Sequence, residues 1–295
     1  MDTPAGPRLG VCQDDAHFLA LIDPDTRRVD ALPLPVGRSG LRLFDTLRGN
    51  KLDKLDLESL CVVPTKQGPR LWLFGSGSAA IREVVVEVDP AGIGARAGAE
   101  AGTGAIRVRS NARFCAALRA EVMLRGAPLN LEGACVADAD LVLLQRGNGA
   151  EGTPAVVRVE LEELQALLDG RGEALRTLRV DPVELSALDG VALGFTDACL
   201  VDPDRLLFLA AAEASPDVIE DGAVVGSTLG ILSLGARPKL EALIPLLEAD
   251  GRPSRRKAEG VCLDPEREDV AFVVVDQDDP TAASELLEVE LAGVR

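Results

Sequence analysis

Two stretches decide the fold: LNLEGAC, residues 129–135, and LDLESLC, residues 55–61. Each sets a Glu three residues before a Cys, Glu132 before Cys135 and Glu58 before Cys61, behind the same apolar–polar–apolar lead-in. The phrase returns as RKAEGVC, ending at Cys262 with Glu259 in the slot. It returns again as LGFTDAC, ending at Cys199 with Thr196 in the slot and Asp197 beside it. A repeat of this kind governs every later reading of a chain.

The likeness continues downstream of each phrase. A second apolar run follows: LWLF from Leu71, LVLL from Leu141, LLFL from Leu206 and VAFVVV from Val270. Each run ends in a small or polar cluster, at Gly75, Gln145, Ala211 and Asp276, and a third run succeeds it. A partial fifth copy opens the chain as LGVC, then QDD from Gln13, then HFLALID. Short Val/Leu/Ile runs bounded by Gly, Pro, Asp and Ser read as strands. A β repeat of roughly 40–50 residues reads as propeller blades, each covered by its neighbours.

The expectation is an all-β chain, a single β-propeller over residues 1–295, with short helices on the connections between blades. Five blades are expected: a partial one at 10–48 and repeats near 52–102, 126–170, 190–235 and 255–292. Six is the alternative, because Glu58 to Glu132 spans 74 residues against 64 and 63 for the next two intervals. The opening copy is expected to lack its innermost strand. Apolar residues at helical spacing predict helices over 112–122, 160–168 and 239–249, the last disturbed by Pro245. Residues 90–104, rich in Gly and Ala, predict a mobile surface loop.

Composition excludes several classes. Aromatic residues make up 3% of the chain, with no Tyr and one Trp, too few for stacking platforms. The net charge of −17 opposes nucleic acid, which needs a basic surface. No apolar run reaches the roughly 18 residues of a membrane helix, so no membrane role is expected. No charged and apolar leader opens the chain. Six Cys without a CxxC pair, and one His, disfavour zinc. Cys61, Cys135, Cys199 and Cys262 share one strand position, which suits buried thiols in a reducing compartment. A cytoplasmic monomer is the expectation.

GSGSAA, residues 75–80, matches a dinucleotide fingerprint, but IREVVVEVD follows it as a strand where that site needs a helix. A polar hairpin is the simpler reading. No nucleophile elbow is present, and a Ser-His-Asp triad would have to use His17; no catalytic residue is assigned.

The repeated acids carry the functional reading. In a propeller the first strand of each blade is innermost, so Glu58, Glu132, Asp197 and Glu259 would converge on a central channel. Loops after the second strands would add Asp14, Asp15, Glu213, Asp276 and Asp278. Converging carboxylates repel, and a divalent cation relieves the repulsion. Oxygen-only ligands favour Ca2+, with Mg2+ the lesser choice. The competing reading is a staple, each Glu tied to backbone or to an Arg such as Arg82, Arg146 or Arg256.

KLDLESL…LWLFGSGS, LNLEGA…LVLLQRGN, GFTDA…LLFLAAAEAS and KAEGV…VVVDQDDP…ELLEVEL, over about residues 10–292, resemble an uncharacterised family of bacterial β-propellers, distantly similar to the phytase-like, esterase-like propellers. The resemblance implies calcium held by Glu58, Glu132, Glu213, Glu259, Asp276 and Asp278, with Arg82 and Arg146 orienting an anion. Asp14, Asp15, Ser76, Ser78, Arg82, Arg146 and Asn148 form the wider ligand-binding set. The expected function is a propeller with an acidic, cation-binding channel, extending to metal-assisted hydrolysis of small phosphoesters or lactones. The rival is a non-catalytic propeller that binds a protein or a small ligand.

Overall fold

The computed structural model describes residues 1–4, 6–93, 105–124, 126–147, 152–214, 223–277 and 282–292. The apolar runs form strands because they are β-branched and leucine-rich, and because Gly, Asp and Pro cut them short. A small hairpin, β1 (Asp2–Thr3) with β2 (Gly6–Pro7), comes first. Five antiparallel sheets follow in chain order. The first is β3 (Leu9–Val11), β4 (Phe18–Ile22) and β5 (Val29–Pro33). The second is β6 (Leu57–Val63), β7 (Arg70–Gly75), β8 (Val84–Val88) and β9 (Ile106–Ser110), followed by α1 (Ala112–Ala120). The third is β10 (Leu131–Ala137), β11 (Asp140–Gln145), β12 (Ala155–Glu160) and β13 (Arg179–Pro182), with α2 (Leu161–Leu168) between its last two strands. The fourth is β14 (Ala187–Leu188), β15 (Val191–Asp202), β16 (Arg205–Ala214), β17 (Ala223–Ser233) and β18 (Lys239–Pro245). The fifth is β19 (Lys257–Leu263), β20 (Val270–Asp276) and β21 (Glu285–Glu290).

In every sheet, spatial order equals chain order, the meander of a propeller blade. The fold is an all-β, five-bladed β-propeller. The chain divides into two compact units, Met1–Ala116 with Gln165–Glu173, and Ala117–Leu164 with Ala174–Arg295. The first holds two blades and the second three.

Within the second unit the first strands of successive blades lie side by side. A Cβ on Gly133 of β10 would stand 2.9 Å from the Ala198 nitrogen of β15, so only glycine permits that approach. The hydroxyl of Thr196 on β15 donates to the Ala258 carbonyl of β19 at 2.7 Å. Leucines and valines fill the layers between blades: Val142, Leu144, Phe195 and Phe208 in one, Leu207, Leu209, Ala271 and Val273 in the next. In the first unit Leu19, Leu21 and Leu32 pack with Leu57, Leu71, Leu73 and Val86. Each such side chain taken fully from water contributes about 1.5–3 kcal/mol.

Several expectations need correction, while the five-blade reading stands over its six-blade alternative. Residues 239–249 are not a helix. Leu240, Ala242 and Ile244 also fit a period of two, and the segment pairs with β17 as the edge strand β18. Pro245 ends it, where an edge strand tolerates the missing donor. The opening copy does have its first strand, the short β3, paired with β4. No sixth sheet of three or more strands occurs among the described residues. The longer second interval is used by β9 and α1. Helices α1 and α2 lie at the residues where the spacing placed them, but only α1 is on a connection between blades; α2 joins β12 to β13 within the third blade. Of the loop expected over 90–104, residues 94–104 lie outside the described residues.

Candidate functional site

The repeated Glu slot is a β-bulge. In β6 the register with β7 shifts between Leu57 and Ser59, leaving Glu58 as the extra residue. The same shift isolates Glu132 in β10, Thr196 in β15 and Glu259 in β19. A bulge re-aims one side chain and twists the strand, and it belongs to the architecture of sheets beside functional sites. Four blades therefore repeat one backbone device, and three of them load it with a carboxylate.

In the first unit the bulge adjoins a buried lysine. The Lys54 ammonium, 5% exposed as a residue, lies 2.8 Å from Asp14 Oδ2, 2.7 Å from Asp15 Oδ1 and 2.8 Å from Asp56 Oδ1. Burial works against the charge on Lys54, but Asp14, Asp56, Asp15 and Glu58 outweigh it and hold the amine protonated far above the ordinary lysine range. Asp15 is pushed upward by burial and by Asp14, against the pull of Lys54. Asp56 also accepts from Ser76 Oγ at 2.6 Å and Arg82 Nη1 at 2.7 Å, and Arg82 reaches Ser78 Oγ at 2.9 Å. Asp56 adopts φ +55°, the left-handed region. Such backbone costs a non-glycine residue about 1–3 kcal/mol and collects at functional sites. Carboxylate oxygens of Asp14, Asp56 and Glu58 lie within 4.8 Å of one another. Among the described residues, four acids face Lys54 and Arg82, and Lys51 also acts on Asp15, so acid is in excess there.

In the second unit the cation is an arginine. Arg146 Nη1 donates to Glu132 Oε1 at 3.0 Å, and Nη2 donates to Glu213 at 2.5 Å. Burial again opposes the charge, and Glu132, Glu259 and Glu213 raise Arg146 above its ordinary value. Lys257 Nζ lies 3.0 Å from Glu259 and 3.9 Å from Glu213. Asn130 Nδ2 also donates to Glu132 Oε1 at 2.7 Å. Gly194 makes room for the arginine, since a Cβ there would meet Arg146 Cγ at 2.9 Å. Three acids meet two cations, and Glu132 is stapled as the competing reading foresaw.

Asp197 stands apart from that cluster. One of its oxygens accepts the Val261 N–H at 2.8 Å, across the seam between β15 and β19. Burial, aided by the charge of Glu132, pushes its carboxyl up to about 8 although the backbone N–H groups of Val261 and Ala198 pull the other way. The neighbouring thiols follow the same rule: burial raises Cys262 to about 11 and Cys199 well above its ordinary value.

Asp276 ends β20, opposite Lys257 in register. Asp278 and Asn148 lie outside the described residues. Arg256 serves Glu248 and Glu285 and no bulge acid in the described contacts. His17 is a core pin. Its Nδ1 contacts the Pro35 carbonyl at 2.9 Å, its Nε2 accepts the Leu55 N–H at 3.0 Å, and burial lowers its pKa. Strands β7 and β8 pair across the GSGS segment as the hairpin reading expected, but Ala80–Arg82 form a helical turn and the strand begins at Val84 instead of Ile81.

Sequence reading missed Lys54, Asp56 and Lys257. A signal was present. Two residues before each bulge residue stand Asp56, Asn130, Gly194 and Lys257, and two of these touch the bulge acid directly.

Five blades in chain order, three of them with a bulge carboxylate among fixed charges, define a β-propeller with ionic clusters on its first strands. The chain belongs to a family described as a family of unknown function, DUF6929, whose profile matches residues 3–291. No curated protein matches the chain.

Proposed function

We propose that this chain is a cation-binding β-propeller and that the cation is held beside Lys54 by Asp14, Asp56 and Glu58. The convergence of those three carboxylates within 4.8 Å carries the reading. Lys54 already engages Asp14 Oδ2 and Asp56 Oδ1, so the cation would share those two carboxylates with the ammonium. The residual negative charge suits a hard cation with retained water, calcium before magnesium, in the weak class of about 10⁻⁴–10⁻³ M. Six free thiols suit action in a reducing cytoplasm, as a monomer.

Titrating calcium during thermal unfolding tests this. Saturating ion at about 100 times its dissociation constant adds roughly 2.7 kcal/mol, and chelator removes it. An unchanged melting temperature at calcium and magnesium concentrations up to about 100 mM refutes the reading.

A second reading, metal-assisted hydrolysis of a small phosphoester or lactone as in the phytase-like propellers, is favoured by one observation. Ser76, Ser78 and Arg82 are bonded to one another and to Asp56, which sets anion-binding groups beside the acids. Calcium-dependent turnover of p-nitrophenyl phosphate or a simple lactone, lost in Arg82→Ala, supports it; calcium binding without turnover leaves the binding function alone.

A further inference from the structure

The connection between the first two blades, residues 34–54, has no regular structure beyond one helical turn, Lys51–Asp53, yet it is firmly held. His17 donates its N–H to the Arg42 carbonyl at 2.8 Å, and Phe44 donates to Asp15 at 3.0 Å. Phe44 is buried against the His17 ring, with centroids 4.4 Å apart. Buried Asn50 accepts the Asp45 N–H at 3.1 Å and donates to the Leu43 carbonyl at 2.9 Å. Long loops that are ordered by their own contacts, rather than by a strand ladder, are commonly binding elements.

This loop exposes what a folded surface usually hides. Ten large apolar side chains are exposed among the described residues, and five are here: Val36, Leu41, Leu43, Leu47 and Leu52. Leu47 is 94% exposed and Leu52 79%. Its charge is also out of character. Residues 34–54 carry Arg38, Arg42, Arg48, Lys51 and Lys54 against Asp45 and Asp53, a net basic segment in a chain of net charge −17, although Arg48 pairs with Asp45 and Lys54 with Asp14 and Asp15. Apolar residues grouped within a polar rim mark interaction sites.

We infer that residues 34–54 are a docking loop for an acidic, leucine-bearing segment of another protein. The occupant follows from charge complementarity. The excess positive charge of the loop, Arg38 included, favours carboxylates, and its leucines favour apolar side chains between them. Self-docking of the loop on a second copy of itself sets Arg38, Arg42, Arg48 and Lys51 against their own kind. An anionic membrane would have to overcome the repulsion of the whole chain's negative charge.

The test selects a random peptide library displayed on phage against the full chain, with counter-selection on Leu47→Ser/Leu52→Ser. Enriched sequences should combine Asp or Glu with Leu, Ile or Phe. By fluorescence anisotropy, a synthetic peptide of that sequence should bind wild type about tenfold tighter than it binds either that variant or Arg38→Glu/Arg48→Glu. Circular dichroism should show both variants folded. No enrichment, enrichment without acidic residues, or equal binding to the variants overturns the inference. So does binding to phosphatidylserine vesicles, or self-association in sedimentation velocity, that the two leucines control.

Discussion

The cluster around Lys54 and the cluster around Arg146 begin from one backbone device and end in different chemistry. Both sit at the bulge of a blade's first strand, and both gather carboxylates from separate segments. Arg146 is a planar fork that engages Glu132 and Glu213 with separate nitrogens, and Lys257 adds a second charge. Lys54 is a point charge shared by Asp14, Asp15 and Asp56, with Glu58 alongside. Arginine's planar fork fixes the geometry of the carboxylates it binds; lysine is a compact point charge that several carboxylates share. A repeated bulge therefore specifies where a charge stands, and the neighbouring cation decides what that charge is for.

The largest expected effect breaks the first cluster. Lys54→Met leaves Asp56 buried with less compensation and should cost about 3–5 kcal/mol in urea unfolding. Calcium should restore part of that loss, more than it stabilises wild type, because the ion replaces the ammonium. Arg146→Met should cost less, about 3 kcal/mol, since Lys257 remains near Glu213 and Glu259, and calcium should restore little. Equal losses with equal calcium rescue would erase the contrast between the clusters.

Asp197 gives a pH signature confined to the second unit. Its folded pKa, about 8, lies above the ordinary 3.8, so the folded state holds the proton while the unfolded chain has released it. Stability from this group is therefore full at low pH and is lost as pH rises, by about 1.4 kcal/mol per pH unit between the two values. Relative to Asp197→Asn, wild type should lose about 2–3 kcal/mol from pH 5 to pH 7. Parallel pH profiles contradict the assignment. The smallest effect belongs to the one bulge without a carboxylate. Thr196→Val removes the bond to Ala258 and should cost about 1 kcal/mol, independent of calcium.

Much of this was legible before any coordinates. The Glu-to-Cys spacing exposed the blades because a bulge and a thiol recur at fixed positions along one strand, although only Cys61 and Cys135 are buried and Cys199 and Cys262 are half-buried. Periodicity found α1 and α2 for the same local reason. It misread residues 239–249 because their leucines satisfy two periods at once, and pairing with β17 decided between them. Lys54 escaped notice because its partners Asp14 and Asp15 lie 40 and 39 residues away, and nothing periodic links them. Lys257 was hidden for a different reason: it sits in a slot whose counterparts, Asp56, Asn130 and Gly194, share position but not charge.

The most direct measurement is calcium titration by calorimetry on wild type, Glu58→Gln and Glu132→Gln. Each change keeps shape and removes one charge. The account predicts a wild-type binding isotherm that Glu58→Gln weakens about tenfold or more and Glu132→Gln leaves nearly unchanged, because Glu132 is already committed to Arg146. Absence of binding in wild type, or binding that depends on Glu132 and not on Glu58, would contradict it.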